Sequence, residues 1–155
     1  MDELQNKLRV LSKIAKKLNE NNITWAIGGS LLLYFKGIVN EFHDIDIVVA
    51  ESDIEQSKEI LLSFGMLLPS VPSSKYKTRS FLEFRVEGVD IDIMAGFSIV
   101  NNGHECYFPL KPSDINDYIE IDNTNIPLQS VEQWRIYYDL MGRSDKVDLI
   151  DRKRK

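Results

Sequence analysis

The sequence predicts an α+β protein, a compact α/β unit: a small mixed β-sheet with helices on one side, closed by a helical C-terminal hairpin. Three observations carry that expectation. Leu4, Leu8, Leu11, Ile14, Ala15 and Leu18 recur at three- and four-residue steps, the period of an amphipathic helix. Between Ile23 and Gly96, short β-branched segments alternate with helical ones. From Ser130 onward the spacing is helical again. A chain of 155 residues is expected to form one domain over 1–155, with a core at about 23–96 and C-terminal helices at about 130–155.

Asn19 to Asn22, "NENN", ends the first helix, and "ITWAI", Ile23 to Ile27, reads as a short strand. Gly28 and Gly29 make a tight turn, and Ser30 is the expected N-cap of the short helix "LLLYFKG". "HDIDIVVA", His43 to Ala50, is a second strand. "ESDIEQSKEILLSFG" is a helix capped by Ser52 or Asp53, with Ile54, Ile60, Leu61 and Phe64 on its apolar face and Gly65 at its stop. "MLLPSVPSSKYKT" holds two prolines and a serine pair and reads mostly as a loop. "RSFLEFRVEG" and "VDIDIMAG" alternate on either side of Glu87-Gly88, which predicts a hairpin. Signals weaken from Phe97 to Pro127, where "CYFPL" is a short strand and "KPSDINDYI" a helix with Pro112 in its first turn. "SVEQWRIYYDLMGR" is an amphipathic helix opened by Ser130 and stopped near Gly142, and "SDKVDLIDRKRK" is a last short one. Trp134, Tyr137 and Tyr138 share a helical face and read as core rather than as a stacking platform.

Composition narrows the function classes. An apolar fraction of 43% and a charged fraction of 28% are those of a soluble globular chain. No apolar run approaches the roughly 18 residues of a membrane span, and the N-terminal segment has no signal-peptide pattern. The single cysteine, Cys106, excludes an intramolecular disulfide and a cysteine-based zinc site, so a reducing, cytoplasmic setting is expected. A net charge of −5 argues against general nucleic-acid binding, though not against a small polyanion held through a metal. The terminal "RKRK" reads as a solvated, frayed end.

The aspartates are the chemically loaded residues. Residues i and i+2 of a strand share a face, so Asp44 and Asp46 project together, roughly 6.6 Å apart along the strand. Two adjacent carboxylates repel unless one is protonated or a cation lies between them. The spacing suits convergence on a pair of divalent ions about 3.5–4 Å apart. "GVDIDIM" supplies a second pair, Asp90 and Asp92. Oxygen donors without nearby His or Cys ligands point to Mg²⁺ or Mn²⁺. His43 alternates to the other face and reads as a packing or hydrogen-bonding residue at the strand edge rather than a ligand. Gly28, Gly29 and Ser30, between a strand and a helix, aim backbone N–H groups and a hydroxyl at one point and suit a phosphate. Neither a Walker loop nor G-x-G-x-x-G is present.

Ile27-Gly28-Gly29-Ser30, a spacer from Leu31 to His43, and Asp44-Ile45-Asp46 resemble the nucleotidyltransferase superfamily that includes DNA polymerase β, in particular its minimal, aminoglycoside and lincosamide members. The match covers roughly Ile23 to Gly96, and "WRIYYDLMGRSDKVDLI" is similar to the helical ending of small members. The resemblance implies a nucleotidyltransferase-like fold. It implies an enzyme that uses two Mg²⁺ ions to move a nucleoside monophosphate from a nucleoside triphosphate to a small-molecule hydroxyl, releasing pyrophosphate. Asp44, Asp46 and Asp92 would be the catalytic and metal-binding residues. Asp92 is preferred to Asp90 because it lies deeper in its apolar run. Gly28, Gly29 and Ser30 would hold the nucleotide's phosphates, and one of Lys75, Lys77 and Arg79 would neutralise the leaving pyrophosphate, unless that loop is only a solvated basic surface. Arg143 and Lys146 either reach the nucleotide or cap the preceding helix. The resemblance also admits an antitoxin-like role, binding or modifying a helical toxin protein, and a homodimer.

Overall fold

The computed structural model describes residues 2–69 and 77–153. Helix α1 (Glu3–Glu20) starts where Asp2 accepts the Gln5 N–H at 2.7 Å. It ends at "NENN" because Asn22 takes a left-handed φ of 55°, so that Ile23 N–H reaches Leu18 O and Asn22 N–H reaches Asn19 O. Strand β1 (Trp25–Gly28) runs into α2 (Gly29–Phe35), and β2 (Ile45–Val49) is followed by a 3-10 turn (Glu51–Asp53) and α3 (Ile54–Leu62). Then come β3 (Met66–Leu68), β4 (Ser80–Val86), β5 (Val89–Ala95), β6 (Phe97–Asn101), β7 (His104–Phe108), a 3-10 turn (Pro112–Asp114), β8 (Asp117–Ile121) and β9 (Thr124–Leu128). Helices α4 (Val131–Leu140) and α5 (Ser144–Lys153) form the C-terminal pair. The class is α+β with a mixed sheet, as the sequence predicts.

Among the described residues the sheet has seven strands in the order β3-β4-β5-β2-β1-β9-β8, and β6-β7 form a separate ribbon. The pairs β2-β5 and β1-β9 are parallel and the rest antiparallel. Helix α1 packs on β5, β9 and α3, while α2 packs on β1, β2 and α4. Val10, Leu11, Ile14, Ala15 and Leu18 of α1 are fully buried with Ile45, Ile47, Ile91 and Ile93 in one core cluster.

The local differences from expectation have physical causes. Helix α2 begins one residue before Ser30: Gly28 is the N-cap, and Gly29, at φ 61°, turns the chain a step earlier than a serine cap would. Asp53 is the N-cap residue of α3, as expected, but makes no side-chain cap bond, because its carboxylate accepts the Thr24 N–H at 2.9 Å and fixes the entry to β1. Met66–Leu68 is a strand rather than loop, since pairing with β4 half-buries Leu67 and Leu68 before Pro69. Residues 70–76, with Lys75, lie outside the described residues. "KPSDINDYI" is not a helix. It makes one 3-10 turn and then alternates half-buried Asp117, Ile119 and Ile121 with exposed Tyr118 and Glu120, a strand period.

Turns Glu87-Gly88, Asn102-Gly103 and Asp122-Asn123 each hold two positive φ values, the geometry of the tight hairpin turn. At the first of them, Glu87 accepts from Arg9 at 2.8 Å and Lys13 at 2.9 Å, while its carbonyl accepts from Asn6 at 3.1 Å. These bonds tie α1 to the β4-β5 hairpin.

Truncating Ile14 to alanine removes a side chain with no exposure and is expected to cost about 2–5 kcal/mol in urea unfolding. The cations around Glu87, chiefly Arg9 and then Lys13, hold its carboxyl down at about 2. A lowered acid contributes stability above its unfolded value that fades as pH falls through the folded one. The melting-temperature gap between wild type and Glu87→Gln is therefore expected to narrow as pH drops from about 5 toward about 3. A gap that ignores pH would remove the charge from this contact.

Candidate active site

Strand register gathers the acidic residues. Gly28 pairs with Asp46 between β1 and β2, Asp46 with Asp92 between β2 and β5, and Asp92 with Glu83 between β5 and β4. Paired residues share a face, so Gly28, Asp46, Asp92 and Glu83 form one rung across four strands. Asp44 is exposed and lies just before β2, at the open end of that row. The loop leading to it is anchored by Phe42, whose carbonyl accepts from buried Lys7 at 2.8 Å. Asp46 and Asp92 are hydrogen-bonded to each other. Burial first, then Asp92 and Asp44, pushes the Asp46 carboxyl well above the usual range. Burial, then Asp44 and Glu83, raises Asp92 as well. Without a cation, such a pair keeps a proton between its members.

Asp90 behaves differently. It faces Arg85 across the hairpin and accepts from its Nε at 2.9 Å. Sequence reasoning missed Glu83, yet counting outward from Glu87-Gly88 pairs residue 86 with 89 and therefore 83 with 92. That count needs only the position of the turn in the sequence.

The glycines fit tightly against this row. A Cβ on Gly29 would lie 1.9 Å from Asp46 Oδ2, and one on Gly28 would lie 2.5 Å from Trp134 Cζ2 and 2.6 Å from Gln129 Oε1. Trp134 donates from Nε1 to Gln129 Oε1 at 2.7 Å and stacks on Phe97 at 5.9 Å between centroids. Trp134, Tyr137 and Tyr138 are buried, as core residues should be. Tyr138 lies within electrostatic reach of both Asp46 and Arg143, and burial raises its phenol.

Among the described residues, the expected basic residues Lys77 and Arg79 are not gathered at the row. Arg79 bonds to Glu105 at 2.7 Å, packs 4.5 Å from the Tyr107 ring centroid and donates to Lys77 O at 2.6 Å. It lies against Gly96, at the far end of β5 from Asp92. Lys77 lies two residues before Arg79, its N–H reaching Ser98 O at 3.4 Å. Arg143 closes the end of α4 through its backbone N–H, bonded to Tyr138 O at 2.8 Å, and pairs with Asp145 at 3.1 Å. Lys146 sits in the first turn of α5.

No three Asp, Glu, His or Cys side chains among the described residues form a ready metal-binding group. The donor chemistry still fits a hard divalent cation. Asp46 and Asp92 are oxygen donors in mutual contact, both raised by burial and by nearby carboxylates, and Asp44 lies within electrostatic reach of both. A cation replacing the shared proton would relieve that repulsion.

A family model for aminoglycoside-2''-adenylyltransferase matches residues 10–154. The chain belongs to that family. It is a nucleotidyltransferase-family enzyme. Among solved structures it is similar to TM1012 from Thermotoga maritima, a protein assigned to the nucleotidyltransferases, at 25% identity with a TM-score of 0.76, covering 98% of this chain and 94% of that one. It shares its fold with ANT(2'')-Ia in complex with adenylyl-2''-tobramycin, at 12% identity, TM-score 0.59 and 86% and 77% coverage. The lincomycin-bound lincosamide adenylyltransferase LnuA matches at 18% identity, TM-score 0.59 and 91% and 94% coverage. No curated protein matches the sequence. No described helix is long and apolar enough to cross a membrane.

Gly29 and Gly37 both have positive φ, 61° and 74°, but nothing lies within 4 Å of a Cβ at Gly37. Alanine at either site carries a backbone strain of about 1–2 kcal/mol. Gly29→Ala is expected to lower the melting temperature clearly more than Gly37→Ala, because only it collides with Asp46. Equal losses would show that Asp46 is not pressed against the turn.

Proposed function

We propose that this enzyme transfers adenylate from ATP to a hydroxyl of a small, amino-sugar-like or lincosamide-like acceptor and releases pyrophosphate. The observation that carries the reading is the rung Gly28–Asp46–Asp92, a close-packed glycine turn beside two half-buried carboxylates in contact. Family membership supplies the adenylyl group, and the tobramycin- and lincomycin-bound relatives suggest the acceptor class.

Asp44, Asp46 and Asp92 would hold Mg²⁺. Bound there, two such ions would neutralise the α-phosphate and acidify the acceptor hydroxyl. Gly28, Gly29 and Ser30 would admit the β- and γ-phosphates close to the backbone. Asp92 would align the acceptor oxygen and draw off its proton. That oxygen forms the new bond to the α-phosphorus as the bond to the β-phosphate's bridging oxygen breaks, and pyrophosphate carries the electron pair away. Most of the work is positioning and charge neutralisation.

Asp46→Asn is the informative variant. Its carboxyl is raised on folding, so its contribution is present at low pH and lost as pH rises through the folded value. The asparagine variant is therefore expected to melt above wild type in ligand-free buffer, with an advantage that grows with pH. With Mg²⁺-ATP at about 100 times its dissociation constant, wild type gains about 2.7 kcal/mol, roughly 5–10 °C for this size. The variant gains nothing. Incubated with ATP, Mg²⁺ and either tobramycin or lincomycin, wild type is expected to increase the acceptor's mass by one adenylate. A wild-type melt indifferent to Mg²⁺-ATP would sink the reading.

A further inference from the structure

Asp44 reaches the acidic row on a stretch of chain that the sheet does not hold. Strand β2 begins only at Ile45, and the approach to it leaves Asn40, Glu41, His43 and Asp44 exposed. Phe42 is the one buried residue between Leu33 and Ile45. Among the described residues, the stretch 39–44 makes one hydrogen bond, from Lys7 Nζ of α1 to the Phe42 carbonyl at 2.8 Å. The Phe42 ring is gripped as well. Its centroid lies 5.2 Å from the Lys7 ammonium and 5.1 Å from the ring centroid of Tyr34.

Packing alone does not account for a lysine at that place. Lys7 is 9% exposed, and its ammonium pairs with Glu3, an exposed residue, at 3.1 Å. Taking an ammonium out of water is unfavourable unless its hydrogen bonds are replaced. A methionine would fill similar space with no charge to desolvate. What the ammonium adds is a directed bond to a backbone carbonyl two residues before Asp44. The same turn of α1 holds the other entry to the row. Asn6 and Arg9 bind Glu87, in the turn from which β5 runs toward Asp92. Helix α1 thereby sets the approach to β2 against the start of β5.

We propose that Lys7 is a positioning residue of the active site: by holding the Phe42 carbonyl, it fixes where Asp44 meets a divalent cation shared with Asp46 and Asp92. The inference rests on the nucleotidyltransferase reading and deepens it. Lys7 acts through Asp44 and touches neither the cation nor a substrate. Removing a group that orients a metal ligand typically weakens metal affinity by about 10–100-fold.

Calorimetric titration with ATP at a series of Mg²⁺ concentrations gives the apparent Mg²⁺ affinity without any turnover. Lys7→Met, which keeps the stem and removes the donor, is expected to weaken that affinity about tenfold, with wild-type ATP binding restored at saturating Mg²⁺. Lys7→Arg, which keeps a cation and a donor, retains most of it. Ile14→Ala, weakened in the core, keeps the wild-type Mg²⁺ dependence at temperatures where it is folded. Asp44→Asn loses at least as much affinity as Lys7→Met, and combining the two loses no more, because contacts within one network do not add. Phe42→Leu keeps the carbonyl but not the ring contacts. It is expected to shift the Mg²⁺ dependence in the same direction, and it carries the test if Lys7→Met does not fold. Wild-type Mg²⁺ dependence in both Lys7→Met and Phe42→Leu overturns the positioning role and leaves the enzyme reading intact. A full additional loss from Lys7→Met in the Asp44→Asn background overturns it too. If wild type binds no ATP at any Mg²⁺ concentration, both readings fall.

Discussion

The site depends on the parallel pairing of β2 with β5, which sets Asp46 directly beside Asp92. Left to themselves, two half-buried carboxylates would separate. They are held together because the opposite face of the same strands is committed to the core: Ile45, Ile47, Ile91 and Ile93 have no exposure. A slip of one residue in either strand would move those isoleucines to the acidic face and the aspartates into the core. Burial of apolar surface, at about 25 cal/mol per Å², is strong enough to enforce an electrostatically unfavourable contact.

Helix α1 holds the surroundings of that pair although it contributes nothing to the acidic row. Lys7 fixes Phe42, two residues before Asp44, and its ammonium also sits 5.2 Å from the Phe42 ring centroid. Arg9, Lys13 and Asn6 grip Glu87 at the tip of the hairpin that sets the β4-β5 register. At the other end of β1, Asp53 steadies Thr24. The carboxylates are thus aligned from both strand ends by polar contacts and from below by packing.

Much of this is legible in the sequence. The two "DID" strands, the glycine pair and the helical ends follow from alternation, helical spacing and turn residues. The region from Phe97 to Pro127 is harder to read, for two separate reasons. Asn102-Gly103 is a strong hairpin signal and Asp122-Asn123 a weaker one, and both lie within the stretch where strand and helix periodicities fade. The "KPSDINDYI" segment, by contrast, is a true conflict: proline near a first turn favours a helix locally, but pairing with β9 overrides it. Arg79 is out of reach of sequence reasoning. Its charge is claimed by Glu105, and its ring partner Tyr107 sits on a separate ribbon whose placement no local pattern announces.

The two aspartates of β5 show how pairing separates structural charge from chemical charge. Asp90 and Asp92 share a strand and a face, and in the sequence only depth in the apolar run separates them. Their hairpin partners distinguish them. Asp90 meets Arg85 and is neutralised within the sheet, at a half-exposed pair of the kind worth little either way. Asp92 meets Glu83 on one side and Asp46 on the other, and among the described residues no ion pair compensates that rung. A fold optimised only for stability would have no reason to keep three acidic residues abreast. The proposed function uses that row: positive charge from outside the chain would offset it, beside a turn with no room for a Cβ. The same count of hairpin partners, made outward from a two-residue turn, identifies in any strand pair which acidic residue the sheet has already satisfied.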